Sequence, residues 1–227
     1  MALLPGLLCD ATVWAGQRQA LGATHAVVTP DFLGQDSITR MAEWVLRGAP
    51  ARFSLAGHSM GARVALEVVR LAPERIERLA LLDTGAHPVR AGELAARQAL
   101  VDLAYAEGMG ALAARWLPPM VAHDRVGDAA LMEPLTRMVE RATPQIFEGQ
   151  IRALLNRPDT APAMAAVRCP TAVIVGRHDA WSPVDQHEAI VAEIPGSRLT
   201  VIENAGHMAP VEEPQAVAAV LAEWLRS

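Results

Sequence analysis

Short aliphatic or β-branched runs alternate along this chain with longer helical patterns, and that alternation is what most constrains its fold. The runs are Ala2–Leu4, His25–Thr29, Arg52–Ala56, Arg78–Leu82, Thr171–Val175 and Arg198–Ile202. Ala172-Val173-Ile174-Val175 is continuously apolar, as a strand covered on both faces must be. The class this predicts is α/β: a mainly parallel six-stranded sheet in the interior, with helices on both faces. A length of 227 residues suits one core with an elaborated insertion.

The helices carry readable punctuation. After Ser59, Val64, Val68 and Leu71 recur at helical spacing, and Pro73 follows the end. Ser182-Pro183-Val184-Asp185 reads as an N-cap, a first-turn proline and an acidic third residue, with a stop at Pro195-Gly196. A last helix begins near Pro214 and turns Val217, Val220, Leu221 and Trp224 inward. Between Thr84 and Thr160 the alternation breaks. That stretch is rich in Leu, Ala, Met and Trp and holds about four helical patterns, separated by Gly108, Pro118-Pro119, Gly127 and Thr143-Pro144. It reads as a helical insertion at 84–160 between two parts of one core, 1–83 and 161–227.

Composition excludes several classes. The net charge is −5 with no basic cluster, so nucleic acid is not an expected partner. No apolar run approaches the ~20 residues that a membrane-spanning helix needs. Met1 to Cys9 is apolar, but it lacks a positive start and has Leu8 where processing before Cys9 would need a small residue. Two cysteines, Cys9 and Cys169, make no disulfide framework and no metal-ligand spacing. The expected setting is cytoplasmic.

Chemistry enters at Gly57-His58-Ser59-Met60-Gly61, which follows a predicted strand and opens a predicted helix. A sharp strand-to-helix turn strains the serine backbone, and side chains two residues either side of it would collide with neighbouring elements. Ser59 Oγ would then stand above the carboxyl end of the sheet, with the Met60 N–H at a helix N-terminus. A serine hydroxyl needs a base, and the base needs an orienting carboxylate. Of seven histidines, His207 lies just past the last predicted strand, at the sheet edge where Ser59 emerges. His58 points away if Ser59 points up, and His25 begins a strand at the opposite edge. His87, His123 and His187 suit surface or packing roles. Asp179, in Gly176-Arg177-His178-Asp179, follows a strand to the same edge. Asp83, after the Arg78–Leu82 run, is its rival, whereas Asp31 suits organisation of the loop Asp31-Phe32-Leu33-Gly34. The turn Leu4-Pro5-Gly6-Leu7 offers a second N–H, that of Leu7, beside the serine.

Three motifs in order, Gly57–Gly61, Gly176–Asp179 with Trp181-Ser182-Pro183, and Gly206-His207, resemble the α/β-hydrolase superfamily. The order Ser, Asp, His is also the one those proteins use. The chain looks closest to small esterase and thioesterase-like members with a helical cap, a role the insertion would fill. The resemblance implies strand order 2-1-3-4-5-6 in the count above. Two departures stand out: Pro5-Gly6 where many members have His-Gly, and no β-hairpin before the first strand.

What the resemblance implies is a serine hydrolase acting on an ester or thioester of a small to medium apolar acyl group. Ser59 would be the nucleophile, His207 the base, Asp179 the orienting acid, and Leu7 and Met60 the oxyanion donors. Trp116, Met120, Met138 and Phe147 of the insertion, and Trp181, would wall a small-molecule substrate; no metal or organic cofactor is called for. C–C bond hydrolysis, amide hydrolysis and perhydrolysis use the same triad, and a binding protein that keeps the fold without turnover is the reading from another class.

Overall fold

The structure, a computed structural model, describes residues 1–227. Its five strands are β1 (Ala2–Leu4), β2 (Phe53–His58), β3 (Ile76–Leu82), β4 (Thr171–Gly176) and β5 (Arg198–Ile202), all parallel and in the order β1-β2-β3-β4-β5. Every residue of β4 is buried, which accounts for its continuous apolar run.

The sixth expected strand does not form. His25–Thr29 contributes a single bridge, Val28 beside Ala2, through Leu3 N–H to Val28 O at 2.9 Å and Val28 N–H to Met1 O at 3.1 Å. β1 is too short to template more, and Pro30 has no N–H to extend the ladder. The bridge lies outside β1, so the spatial order anticipated for the six segments holds with its outermost member reduced to one pair.

Ten helices surround the sheet: α1 (Ala15–Leu21), α2 (Ile38–Gly48), α3 (Met60–Leu71), α4 (Glu93–Trp116), α5 (Ala129–Glu140), α6 (Pro144–Leu155), α7 (Ala161–Ala166), α8 (Val184–Glu193), α9 (Ala209–Glu212) and α10 (Pro214–Trp224). Packed between the sheet and α2 and α7, α3 buries both its Val64–Val68 stripe and most of its other face. α8 and α10 both pack on β4 and β5, and α1 lies on α10; with every residue of β4 buried, the sheet is covered on both sides. In α10, Val217, Leu221 and Trp224 are buried as anticipated, while Val220 is only half-buried.

The stretch between β3 and β4 is helical, with α4 broken at Gly108, whose φ of 87° only glycine adopts without strain. The two halves of α4 with α5 and α6 are the four anticipated patterns. One cap differs: Pro183, not Ser182, precedes α8, and its side chain caps nothing. Ser182 instead gives its N–H to Asp179. No helix is long and apolar enough to cross a membrane.

Because all strands run one way, the residues after Leu4, His58, Leu82, Gly176 and Ile202 emerge at the same sheet edge. In open α/β sheets that edge is where ligands bind.

Candidate active site

Ser59 sits between β2 and α3 with φ 54° and ψ −115°, a conformation that costs a non-glycine residue about 1–3 kcal/mol. Hydrogen bonds hold it there: its N–H donates to Leu82 O at 2.9 Å, and its C=O accepts from Ala62 N–H at 3.0 Å and Thr84 Oγ1 at 3.1 Å. The flanking glycines are obligatory. A Cβ on Gly57 would fall 2.3 Å from Gly61 O, and one on Gly61 would fall 2.3 Å from Leu4 O.

His207 Nε2 lies 2.8 Å from Ser59 Oγ, and His207 Nδ1 lies 2.8 Å from Asp179 Oδ2. Donation from Nδ1–H to the carboxylate leaves the Nε2 lone pair for the serine hydroxyl. The other oxygen, Asp179 Oδ1, accepts the N–H groups of Trp181 at 2.9 Å and Ser182 at 2.8 Å. Burial alone would raise the Asp179 pKa, but His207 and these donors outweigh it and hold the carboxyl below its ordinary value.

Asp83 does not reach His207. Its Oδ1 accepts Gly176 N–H at 2.9 Å, and its Oδ2 stands 3.8 Å from His58 Nε2. Burial, reinforced by the charge of Asp179, pushes its pKa well above the carboxylate range. His58, driven down to about 3 by burial and by His207, is neutral and donates from Nε2 to the His207 carbonyl at 2.7 Å. His187, lowered to about 4 by burial, accepts Thr84 N–H at 2.8 Å. His25 is exposed, and Asp31 receives Leu33 N–H at 2.7 Å within its loop.

The turn after β1 abuts the serine: a Cβ on Gly6 would lie 3.3 Å from Ser59 Cβ. Leu7 N–H donates to no protein group, and Met60, first in α3, has no intrahelical acceptor. Two buried side chains that sequence reasoning missed set this scenery. Gln150 of α6 accepts Leu8 N–H at 2.8 Å and donates to Phe32 O at 3.3 Å. Glu212 accepts the N–H groups of Ala122 at 2.7 Å, Gly206 at 2.9 Å and Met208 at 3.1 Å, clasping the loop of His207. Its position before Glu213-Pro214 reads in sequence as an exposed helix start, so no signal distinguished it.

Ser59 and His207 open into a cavity of about 520 Å³ that Leu7 and Met60 also line. Of the anticipated wall, Trp116, Met120 and Trp181 line it. Met138 and Phe147 do not: they are 2% and 0% exposed, because α5 and α6 turn them into the shared core. Leu100, Ile151 and Leu154 take their place, and His87, assigned above to surface or packing, lines it too. The expected wall was apolar, yet Arg63, Arg90, Arg97 and Arg157 also face this space, against a single carboxylate, Glu93.

A parallel sheet with a strained serine turn at its carboxyl edge, joined to a histidine and a carboxylate, defines a hydrolase-type α/β protein. The chain belongs to the alpha/beta hydrolase family, whose model matches residues 1–220. It is similar to the thermophilic esterase of Thermogutta terrifontis, solved with malate bound, at 30% identity and a TM-score of 0.91 over 99% of this chain and 88% of that one. It is also similar to the pimeloyl-[acyl-carrier protein] methyl ester esterase of Aromatoleum aromaticum, 26% identical over all of this chain and 98% of that protein. The enol-lactonase of Burkholderia xenovorans LB400, at 23% identity, shares the fold with a TM-score of 0.88 over all of this chain and 91% of its own.

Proposed function

We propose that this hydrolase cleaves an ester or thioester of a small to medium acyl group by a serine mechanism, with an acyl-enzyme intermediate. The observation that carries this reading is the unbroken relay from Asp179 through His207 to Ser59 Oγ, two contacts of 2.8 Å that end in the cavity. Esterase activity in similar proteins supports it.

Ser59 Oγ attacks the acyl carbon as its proton passes to His207 Nε2. Asp179 keeps the proton of Nδ1 in place and stabilises the imidazolium. The Leu7 and Met60 N–H groups receive the developing oxyanion. Collapse breaks the bond to the leaving oxygen or sulfur, which takes the proton from His207. Water, deprotonated by His207, then attacks the acyl carbon, and the Ser59 Oγ–acyl bond breaks as His207 returns a proton to Oγ. Residues 84–160 act as the cap, closing the acyl site with Trp116 and Met120.

Ser59→Ala is the test, read as p-nitrophenol release from p-nitrophenyl acetate and as labelling by a fluorophosphonate. Loss of labelling and a fall in kcat of about 10³-fold or more are expected. Full activity in the variant overturns the mechanism.

A further inference from the structure

The arginines around the cavity are not balanced within the protein. Arg157 pairs with Glu93 through both carboxylate oxygens, at 2.7 and 2.8 Å, and Arg97 adds a third contact at 2.9 Å, so Glu93 is fully engaged. Arg63 is only 8% exposed and meets no acid: Nη2 donates to His87 O at 3.2 Å, while Nη1 is buried with no partner. Burial first, then repulsion from Arg157, lowers its pKa. Arg90, at the rim, makes no ion pair either. A buried guanidinium donor without an acceptor is costly, and four arginines that face one carboxylate around this cavity leave a place for an anion.

Position gives the anion its relation to the chemistry. Arg63 is the fourth residue of α3, about one helical turn from the end of the helix that Ser59 precedes. A guanidinium favours a carboxylate, whose two oxygens match its fork.

Resting on the serine-hydrolase reading, we infer that the substrate is an ester carrying a free carboxylate a few carbons from the scissile carbonyl, bound by Arg63 and Arg90. A half ester of a short dicarboxylic acid has this chemistry. Leu100, Ile151 and Leu154 would pack against the methylenes between the two ends.

Monomethyl glutarate and its neutral counterpart dimethyl glutarate test this, with kcat/KM measured by pH-stat. The native enzyme is expected to prefer the half ester by about tenfold or more, the range of a hydrogen bond to a charged group. In Arg63→Met that ratio collapses towards one, chiefly through KM, and Arg90→Gln lowers it less. Should Arg63→Met fail to fold, calorimetry of glutarate binding to Ser59→Ala gives the same information: tight binding that weakens in high salt and in Ser59→Ala/Arg90→Gln supports the site. Native enzyme that labels with fluorophosphonate yet cleaves the diester as well as the half ester overturns the carboxylate site alone. Native enzyme that fails to label overturns the serine mechanism instead.

Discussion

Glu212 Oε1 accepts the N–H of Gly206 at 2.9 Å, so a carboxylate beyond His207 in the chain holds the loop that presents the imidazole. Two further N–H groups, of Met208 and of Ala122 from the insertion, converge on the same side chain. All three are donors, and only a group with two acceptor oxygens satisfies them. Glu212→Gln turns an NH₂ toward at least one of them. The variant is expected to lose about 2 kcal/mol of stability in urea unfolding. Its kcat on p-nitrophenyl acetate should fall about tenfold or more as His207 shifts against Ser59. A Glu212→Gln enzyme of native kcat would show that the clasp is structural only.

The two buried aspartates separate cleanly by variant. Asp179 accepts from His207, whereas Asp83 contacts Gly176 and lies 3.8 Å from His58. Asp179→Asn is expected to lower kcat by about 10⁴-fold, because the amide favours the wrong imidazole tautomer. Asp83→Asn should stay within about tenfold of native, the scale of a modest positional disturbance. Steady-state kinetics on one ester decides it, and the reverse ranking would transfer the orienting role to Asp83.

Asp83 also predicts a pH-dependent stability. Its folded pKa lies well above the ordinary 3.8, raised by burial and by Asp179. Such a group favours folding below its unfolded pKa, and that contribution is lost as pH rises through the folded pKa. Asp83→Asn removes the ionisation and keeps an oxygen for Gly176 N–H. The Tm of the variant relative to native should therefore climb as pH rises above the ordinary carboxylate value of 3.8. A difference that stays flat across melts at several pH values contradicts this assignment.

Gln150 ties the turn beside Leu7 to α6. Gln150→Ala strands Leu8 N–H in a buried setting, whereas Phe32 C=O keeps the N–H of Gln35 at 3.1 Å. Unfolding in urea should register a loss of about 1–3 kcal/mol. At temperatures where the variant is folded, kcat should drop more than KM rises, since Leu7 then positions its N–H less well. An effect on KM alone would detach Gln150 from the proposed role of the Leu7 N–H.

Much of the architecture was legible from periodicity. The apolar run of β4, the stripe of α3 and the breaks at Gly108, Pro144 and Pro214 are local statements, and local propensity decided them. His25–Thr29 reads as a strand equally well, yet a strand needs a partner of matching length, and three-residue β1 offers only one bridge. Met138 and Phe147 show the same limit at side-chain scale. Their type suited a cavity wall, but helix rotation turned them into the core.

Sequence by itself determined the parallel α/β class, the serine turn with its two glycines, and the candidates His207 and Asp179. Each follows from chain order and from backbone geometry over a few residues. Tertiary structure alone decided that Asp179 rather than Asp83 reaches His207, that Glu212 and Gln150 clasp the loops, and that Arg63 stands unpaired beside the cavity. These are contacts between residues far apart in sequence, and hydrogen bonding and charge balance act through distance in space, which no local pattern encodes.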